Sequence, residues 1–152
     1  HIAPNTVHHF IKLVEDGYYN GASFHRVVPG FVIQAGGAPV DFAIKGEFFG
    51  NGFRNTLKHT RGVVSIARAR HYDSGGPEFF IVLTDQQKLD LAYASFGKVI
   101  EGMQVVDKIA LVPTEGEAAK NPPLITKATV ETFGIDYPDP VRIPIPTAPV
   151  QK

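Results

Sequence analysis

At 152 residues the chain has room for one domain that buries about two-thirds of its unfolded surface, and none for a second catalytic domain. Fifteen Lys and Arg balance fifteen Asp and Glu, and the formal net charge of zero removes the electrostatic footprint of a nucleic-acid binder or of a protein drawn to anionic membranes. The absence of cysteine excludes disulfides and zinc–thiolate sites and suits a reducing compartment, so the cytoplasm is the expected location; no apolar run approaches membrane-spanning length.

The chain opens at His1-Ile2-Ala3-Pro4 without a signal-peptide pattern and abruptly, as though inside a domain. Val7, Phe10, Ile11 and Val14 follow Pro4-Asn5-Thr6 at spacings of three and four, and Gly17 is placed to end the run. The spacing predicts a helix from about Pro4 to Asp16. Asn20-Gly21 then turns the chain into an extended apolar run from Phe24 to Gln34. Strand patterns follow at 62–67, 78–83 and 96–100, a second helix at about 103–110, and a further strand at about 125–133. Beyond Ile135, prolines 138, 140, 144, 146 and 149 forbid a helix or a central strand and leave an extended, polyproline-like or loose tail. The elements describe a mainly β domain, barrel or sandwich, over residues 1–134 with two helices as covers, and a proline-rich tail over 135–152.

The run from Phe24 to Gln34 carries most of the chemistry. An unbroken alternating strand would put Arg26 and Gln34 on one face, but Pro29-Gly30 interrupts it and leaves that assignment open. A cation and an amide beside apolar side chains suit a pocket that grips an uncharged group while offering it hydrogen bonds, which fits a peptide better than a phosphate. Taken alone, an arginine beside a strand is more often a solvated surface group than a catalyst. Phe79 and Phe80 alternate faces with even odds of being core, and Leu89 reads as core. Gly36-Gly37 lacks the following Lys-Ser/Thr of a phosphate loop. The histidines show no ligand spacing, so neither metal nor cofactor is expected.

The same run, Phe24-His25-Arg26-Val27-Val28-Pro29-Gly30-Phe31-Val32-Ile33-Gln34, closely resembles the signature of the cyclophilin peptidyl-prolyl isomerases. Lys58 to Gly62, Ser65 to Ala69, Phe79-Phe80-Ile81, Leu89-Asp90 and Phe96 to Met103 follow in the family's order and near its spacing. The likeness runs from His1 to about Tyr137 and is nearest to the compact single-domain bacterial type. It implies an eight-stranded antiparallel barrel capped by two helices, with a proline-binding groove on its outer face. By position, Arg26 matches the family's catalytic arginine and Gln34 the glutamine that orients arginine and substrate. Phe31, Val32, Phe80 and Leu89 match the walls of the proline pocket. Ala67, Arg68 and Ala69 match the segment whose backbone pairs with substrate, and Tyr93 stands where many members have histidine. The implied activity is cis–trans isomerisation of Xaa-Pro bonds in proline-containing peptides and unfolded proteins. The competing readings are a non-catalytic proline-peptide binding module and a structural or interaction domain whose proline-rich tail is the working part, with docking of the tail in the groove of a neighbouring molecule as a further reading.

Departures from the family pattern set further expectations. Glu78, in the substrate-binding stretch, stands where the family usually carries glutamine and is expected to pair with Arg26 or Arg68, in the first case competing with substrate. Lys88 replaces the tryptophan of cyclosporin-sensitive members, so weak cyclosporin binding is expected. Two strands that precede the first helix in the family are missing here, so the domain at 1–134 is expected to be N-terminally incomplete with exposed sheet edges. Ala38 to Ala43 is shorter than the family's glycine-rich loop beside the groove.

Overall fold

The computed structural model describes residues 2–147. Helix α1 spans Pro4–Glu15, with proline in its first turn, where the missing N–H is no loss. It ends where Gly17 turns left-handed at φ 75° and the Tyr18 N–H donates to the Leu13 carbonyl at 2.9 Å. Its buried positions are Thr6, His9, Leu13 and Val14. The buried face is thus rotated from the one the apolar spacing predicts, because two polar residues on it find partners. Thr6 donates to Glu47 Oε1 through both N–H and hydroxyl at 2.7 Å, and His9 Nε2 bonds the Gly76 carbonyl at 2.8 Å.

Strands β1 (Ser23–Val28), β2 (Val32–Gly36), β4 (Val63–Arg68), β5 (Gly75–Val82) and β6 (Ser95–Lys98) join the short β7 (Thr114–Glu115) and β8 (Ala118–Ala119) in one antiparallel sheet. Its order is β6-β4-β5-β2-β1-β8-β7. The period of two divides its side chains cleanly. Val27, Ile33, Ala35, Ile66, Phe79 and Ile81 face the main core with Leu13 and Val14 of α1 and Val106 of helix α2 (Met103–Ile109). Val32, Val63, Phe80 and Val82 face the other way and form a second cluster with Leu89. Pro77 fits inside β5 because it lies where the pairing with β4 is irregular, between Ile66 and Arg68, so no ladder donor is lost.

Pro29-Gly30 breaks the Phe24 to Gln34 run into a hairpin of β1 and β2. The main sheet has seven strands and, among the described residues, no hydrogen-bonded closure joins β6 to β7. One expectation needs correction. Residues 125–133 form no strand: Ile125 exchanges two bonds of 2.7 Å with Gly21 and Ala22, Ser23 bridges Leu124, and the ladder stops there. Ile125, Ala128 and Val130 still pack against the main core, so the apolar pattern reported burial correctly while no second strand lies alongside to complete a ladder.

The tail is extended, as the prolines require, and it is tied down. Asn5 exchanges two bonds with the Val141 backbone, at 2.9 and 2.7 Å, and the Arg142 guanidinium lies 3.8 Å from the Phe42 ring centre. Ile143–Pro144 then forms β9 against β3 (Phe42–Ala43), a two-stranded edge where a proline is tolerated. Ala148-Pro149, one of the tail's Xaa-Pro pairs, lies outside the described residues.

Candidate active site

The turn Val28-Pro29-Gly30-Phe31 uses proline's fixed φ and a left-handed Gly30 (φ 76°), closed by Phe31 N–H to Val28 O at 2.9 Å. The reversal sets Arg26 directly opposite Gln34. The open face assignment is thereby settled: both side chains share a face across the hairpin. Gln34 in turn faces Phe80, and Phe80 faces Ser65, so one cross-strand row crosses four strands.

Above this row lies a pocket of about 250 Å³. Phe31, Val32, Phe80, Leu89 and Tyr93 make it apolar; Arg26, Gln34 and Arg68 supply its polar groups, and Ala67 completes the lining. Ala69 and Glu78 line an adjoining groove that shares Gln34, Ala67 and Arg68 with the pocket. The eleven residues singled out from the sequence are therefore brought together, nine on the pocket and two beside it. The ladder of β6 on β4 covers only Val63 to Ser65, so β4 presents its edge to the groove from Ala67 onward.

Arg68 anchors the far wall through its side chain. Its Nε and Nη2 donate to the Ala92 carbonyl at 2.9 and 2.6 Å, and its guanidinium stacks 4.6 Å from the Tyr93 ring centre. Phe80 meets Tyr93 edge-on at 5.5 Å and lies parallel to the His59 ring at 6.1 Å. His59 Nδ1 is 3.0 Å from Asp90 Oδ1 and Nε2 is 2.9 Å from Ser65 Oγ. This Ser–His–Asp arrangement has the geometry of a nucleophilic triad, yet Ser65 and His59 are 0% and 1% exposed, so no acyl group can reach the hydroxyl. It is scaffold: Asp90 also accepts from the His59 N–H at 2.7 Å, pinning the segment that carries Leu89 and Tyr93 to β4. Burial depresses the His59 pKa, partly offset by Asp90.

The polar end of the site is a chain of directed bonds. Arg26 Nε donates to Glu117 Oε1 at 2.8 Å and Nη1 to Gln34 Oε1 at 3.0 Å; Gln34 Nε2 donates to Glu78 Oε1 at 2.8 Å. A guanidinium only donates and a carboxylate only accepts, so Gln34 between them has a single satisfied amide orientation. The expectation that Glu78 pairs with an arginine is corrected: Glu78 lies across Gly36, binds Gln34, and has His25 Nε2 3.2 Å away without hydrogen-bond alignment. The arginine's partner is Glu117, which no motif marks. Only the pairing of β8 on β1, with Arg26 opposite Ala118, brings it there. Among the described residues, three of the five Arg26 N–H groups have no protein partner.

Residues 1–130 match the family model for cyclophilin type peptidyl-prolyl cis-trans isomerase/CLD, and the chain belongs to that family. It is 43% identical over 120 residues to peptidyl-prolyl cis-trans isomerase A of Dickeya dadantii, covering 74% of this chain and 63% of the relative. It is 38% identical over 143 residues to a probable peptidyl-prolyl cis-trans isomerase of Brucella abortus, covering 86% of this chain and 73% of the relative. The chain thus spans about 63% of the length of its Dickeya dadantii and Acinetobacter baylyi relatives. Among solved structures, a cyclophilin from Hirschia baltica superposes with a TM-score of 0.72 at 27% identity, over 89% of this chain and 68% of that one. A cyclophilin type isomerase of Cryptosporidium parvum, studied in the presence of the dipeptide Ala-Pro, has the same fold, with a TM-score of 0.74 at 24% identity over 86% of this chain and 87% of that one.

Proposed function

We propose that the chain catalyses cis–trans isomerisation of Xaa-Pro bonds in peptides and unfolded polypeptides, with Arg26 as the catalytic group. The observation that carries this reading is an Arg26 guanidinium anchored by Glu117 and Gln34, with N–H groups left to donate, at the edge of an apolar pocket of about 250 Å³. Rotation about the amide faces a barrier of ~18–20 kcal/mol because the nitrogen lone pair is delocalised into the carbonyl. An N–H donated to the prolyl nitrogen localises that pair and favours the twisted amide over the planar one. Bringing an event of ~10–100 s to milliseconds takes roughly 6 kcal/mol. One charge-assisted hydrogen bond contributes ~1.5–3 kcal/mol. The remainder falls to Phe31, Phe80 and Leu89 fixing the proline ring and to the β4 edge at Ala67 to Ala69 holding the flanking backbone.

A protease-coupled isomerisation assay on a short Xaa-Pro peptide, run on the wild type and Arg26→Ala, tests the proposal. The folded variant should lose about ten- to a hundredfold in kcat/KM. Near-normal turnover would overturn the role of Arg26, and binding without turnover in the wild type would make the chain a proline-peptide binding module. Weak cyclosporin binding belongs to the same proposal. Lys88 Nζ sits 5.2 Å from the Phe31 ring centre, a hydrated cation at the rim where an apolar ligand needs a wall; nanomolar inhibition would refute it.

A further inference from the structure

Beyond the groove that holds Ala69 and Glu78 lies a further trough of about 260 Å³, in which the tail meets the domain. Val40, Phe42 and Pro77 give it apolar walls, and Ile145, the residue after β9, supplies another. It shares Ala69, Ser74, Gly76, Pro77 and Glu78 with the groove, and the groove shares Gln34, Ala67 and Arg68 with the proline pocket. The three depressions adjoin through these shared lining residues, in a row that runs from Leu89 to Ile145. Ile145 is held at its far end by the Asn5–Val141 bond pair, the Arg142–Phe42 stack and the β3–β9 ladder. A side chain 48% exposed after such anchoring is an apolar surface offered to something in the trough.

We infer that the tail is a specificity element of the isomerase: Ile145, with Val40, Phe42 and Pro77, forms a distal subsite for an apolar side chain of the same polypeptide whose Xaa-Pro bond sits at Arg26. This rests on the function proposed above. The occupant is the client chain because the trough adjoins the proline pocket through the groove and the row runs beside the β4 edge, where an extended peptide keeps its backbone paired while its side chains enter successive depressions. Filling the far trough with an apolar group rather than serine should change affinity about tenfold.

The test compares a short Xaa-Pro tetrapeptide with two longer peptides that carry four residues on each side of the same Xaa-Pro unit, flanked either by leucine and valine or by serine and threonine. Turnover is read by exchange spectroscopy and affinity by calorimetry, for the wild type, Ile145→Ser and the chain ending at Gly134. The wild type should prefer the apolar flanks about tenfold. Ile145→Ser should reduce that preference to about twofold without altering tetrapeptide turnover, and the shortened chain should do the same where it remains folded. Equal preferences in the wild type and Ile145→Ser, or no preference in the wild type, would overturn the inference while leaving the isomerase reading intact. An affinity preference that follows Ile145 without turnover of any peptide would uphold the subsite and remove the catalytic reading.

Discussion

Gly36 is the position where a small change should reach Arg26 through two intermediaries. A Cβ there would lie 2.4 Å from Glu78 Cγ, 3.0 Å from Cδ and 3.2 Å from Oε2, so Gly36→Ala forces Glu78 off its present path. The Gly36 backbone is not left-handed, so alanine itself fits the strand. Glu78 is 38% exposed at its side chain and can swing into solvent, so the cost to folding is a rotamer change of about 1 kcal/mol, offset by the ~0.4–1 kcal/mol that alanine gains through the unfolded state. What is lost is the Gln34–Glu78 bond, worth about 0.5–1.5 kcal/mol, and with it the fixed amide orientation that aims Gln34 Oε1 at Arg26. Since that orientation aims the amide at Arg26 in the transition state, kcat/KM falls about two- to thirteenfold, while folding stability falls by no more than the lost bond contributes. The assay is protease-coupled isomerisation on Gly36→Ala, Glu78→Ala and the double variant. Because both substitutions remove the same contact, the double variant should lose no more than either single one. A folded Gly36→Ala with wild-type kcat/KM, or losses that multiply in the double variant, would refute the relay.

Glu117→Gln should lower kcat/KM by at most about fivefold and leave stability unchanged, since the pair is 34% and 58% exposed at its side chains and such pairs contribute ~0.2–1 kcal/mol. A rise in kcat/KM would show instead that Glu117 competes with substrate for the guanidinium. Stability should fall in mild acid. Burial holds the His9 and His59 imidazoles below their ordinary pKa of 6.5, so the unfolded chain takes up protons first as pH drops through 6.5. Stability is then complete above that pH and is lost below it, by up to about 1.4 kcal/mol per pH unit for each histidine. Urea midpoints at pH 7.5, 6.5 and 5.5 measure this, and a midpoint that does not move would refute it.

Legibility in the sequence followed the range of the interaction that fixed each feature. Helix α1, the break at Pro29-Gly30 and the alternation of Phe79 with Phe80 are set by near neighbours and by the period of two, and these read directly from the chain, while the hairpin register and the face of Arg26 and Gln34 do not. Arg26 and Gln34 stood out by residue type, whereas the pocket-wall candidates came through a family resemblance, because no local rule says that Leu89 lines a pocket instead of filling a core; at 8% exposure it does both. Glu117 and the cis-docked tail escaped for the opposite reason. Each reaches its partner through pairings between segments about 90 to 140 residues apart, and neither Gly116-Glu117 nor Ile143-Pro144 differs in composition from an ordinary turn or linker. The Ser65–His59–Asp90 set makes the converse point. Its hydrogen-bond geometry alone would argue for a nucleophile, and only burial, which no spacing reveals, turns it into scaffold for the pocket that Phe80, Leu89 and Tyr93 line. For this chain the chemistry lies in residue types a sequence can display, while what aims them, Glu78 on Gln34 and Glu117 on Arg26, is decided by strand order.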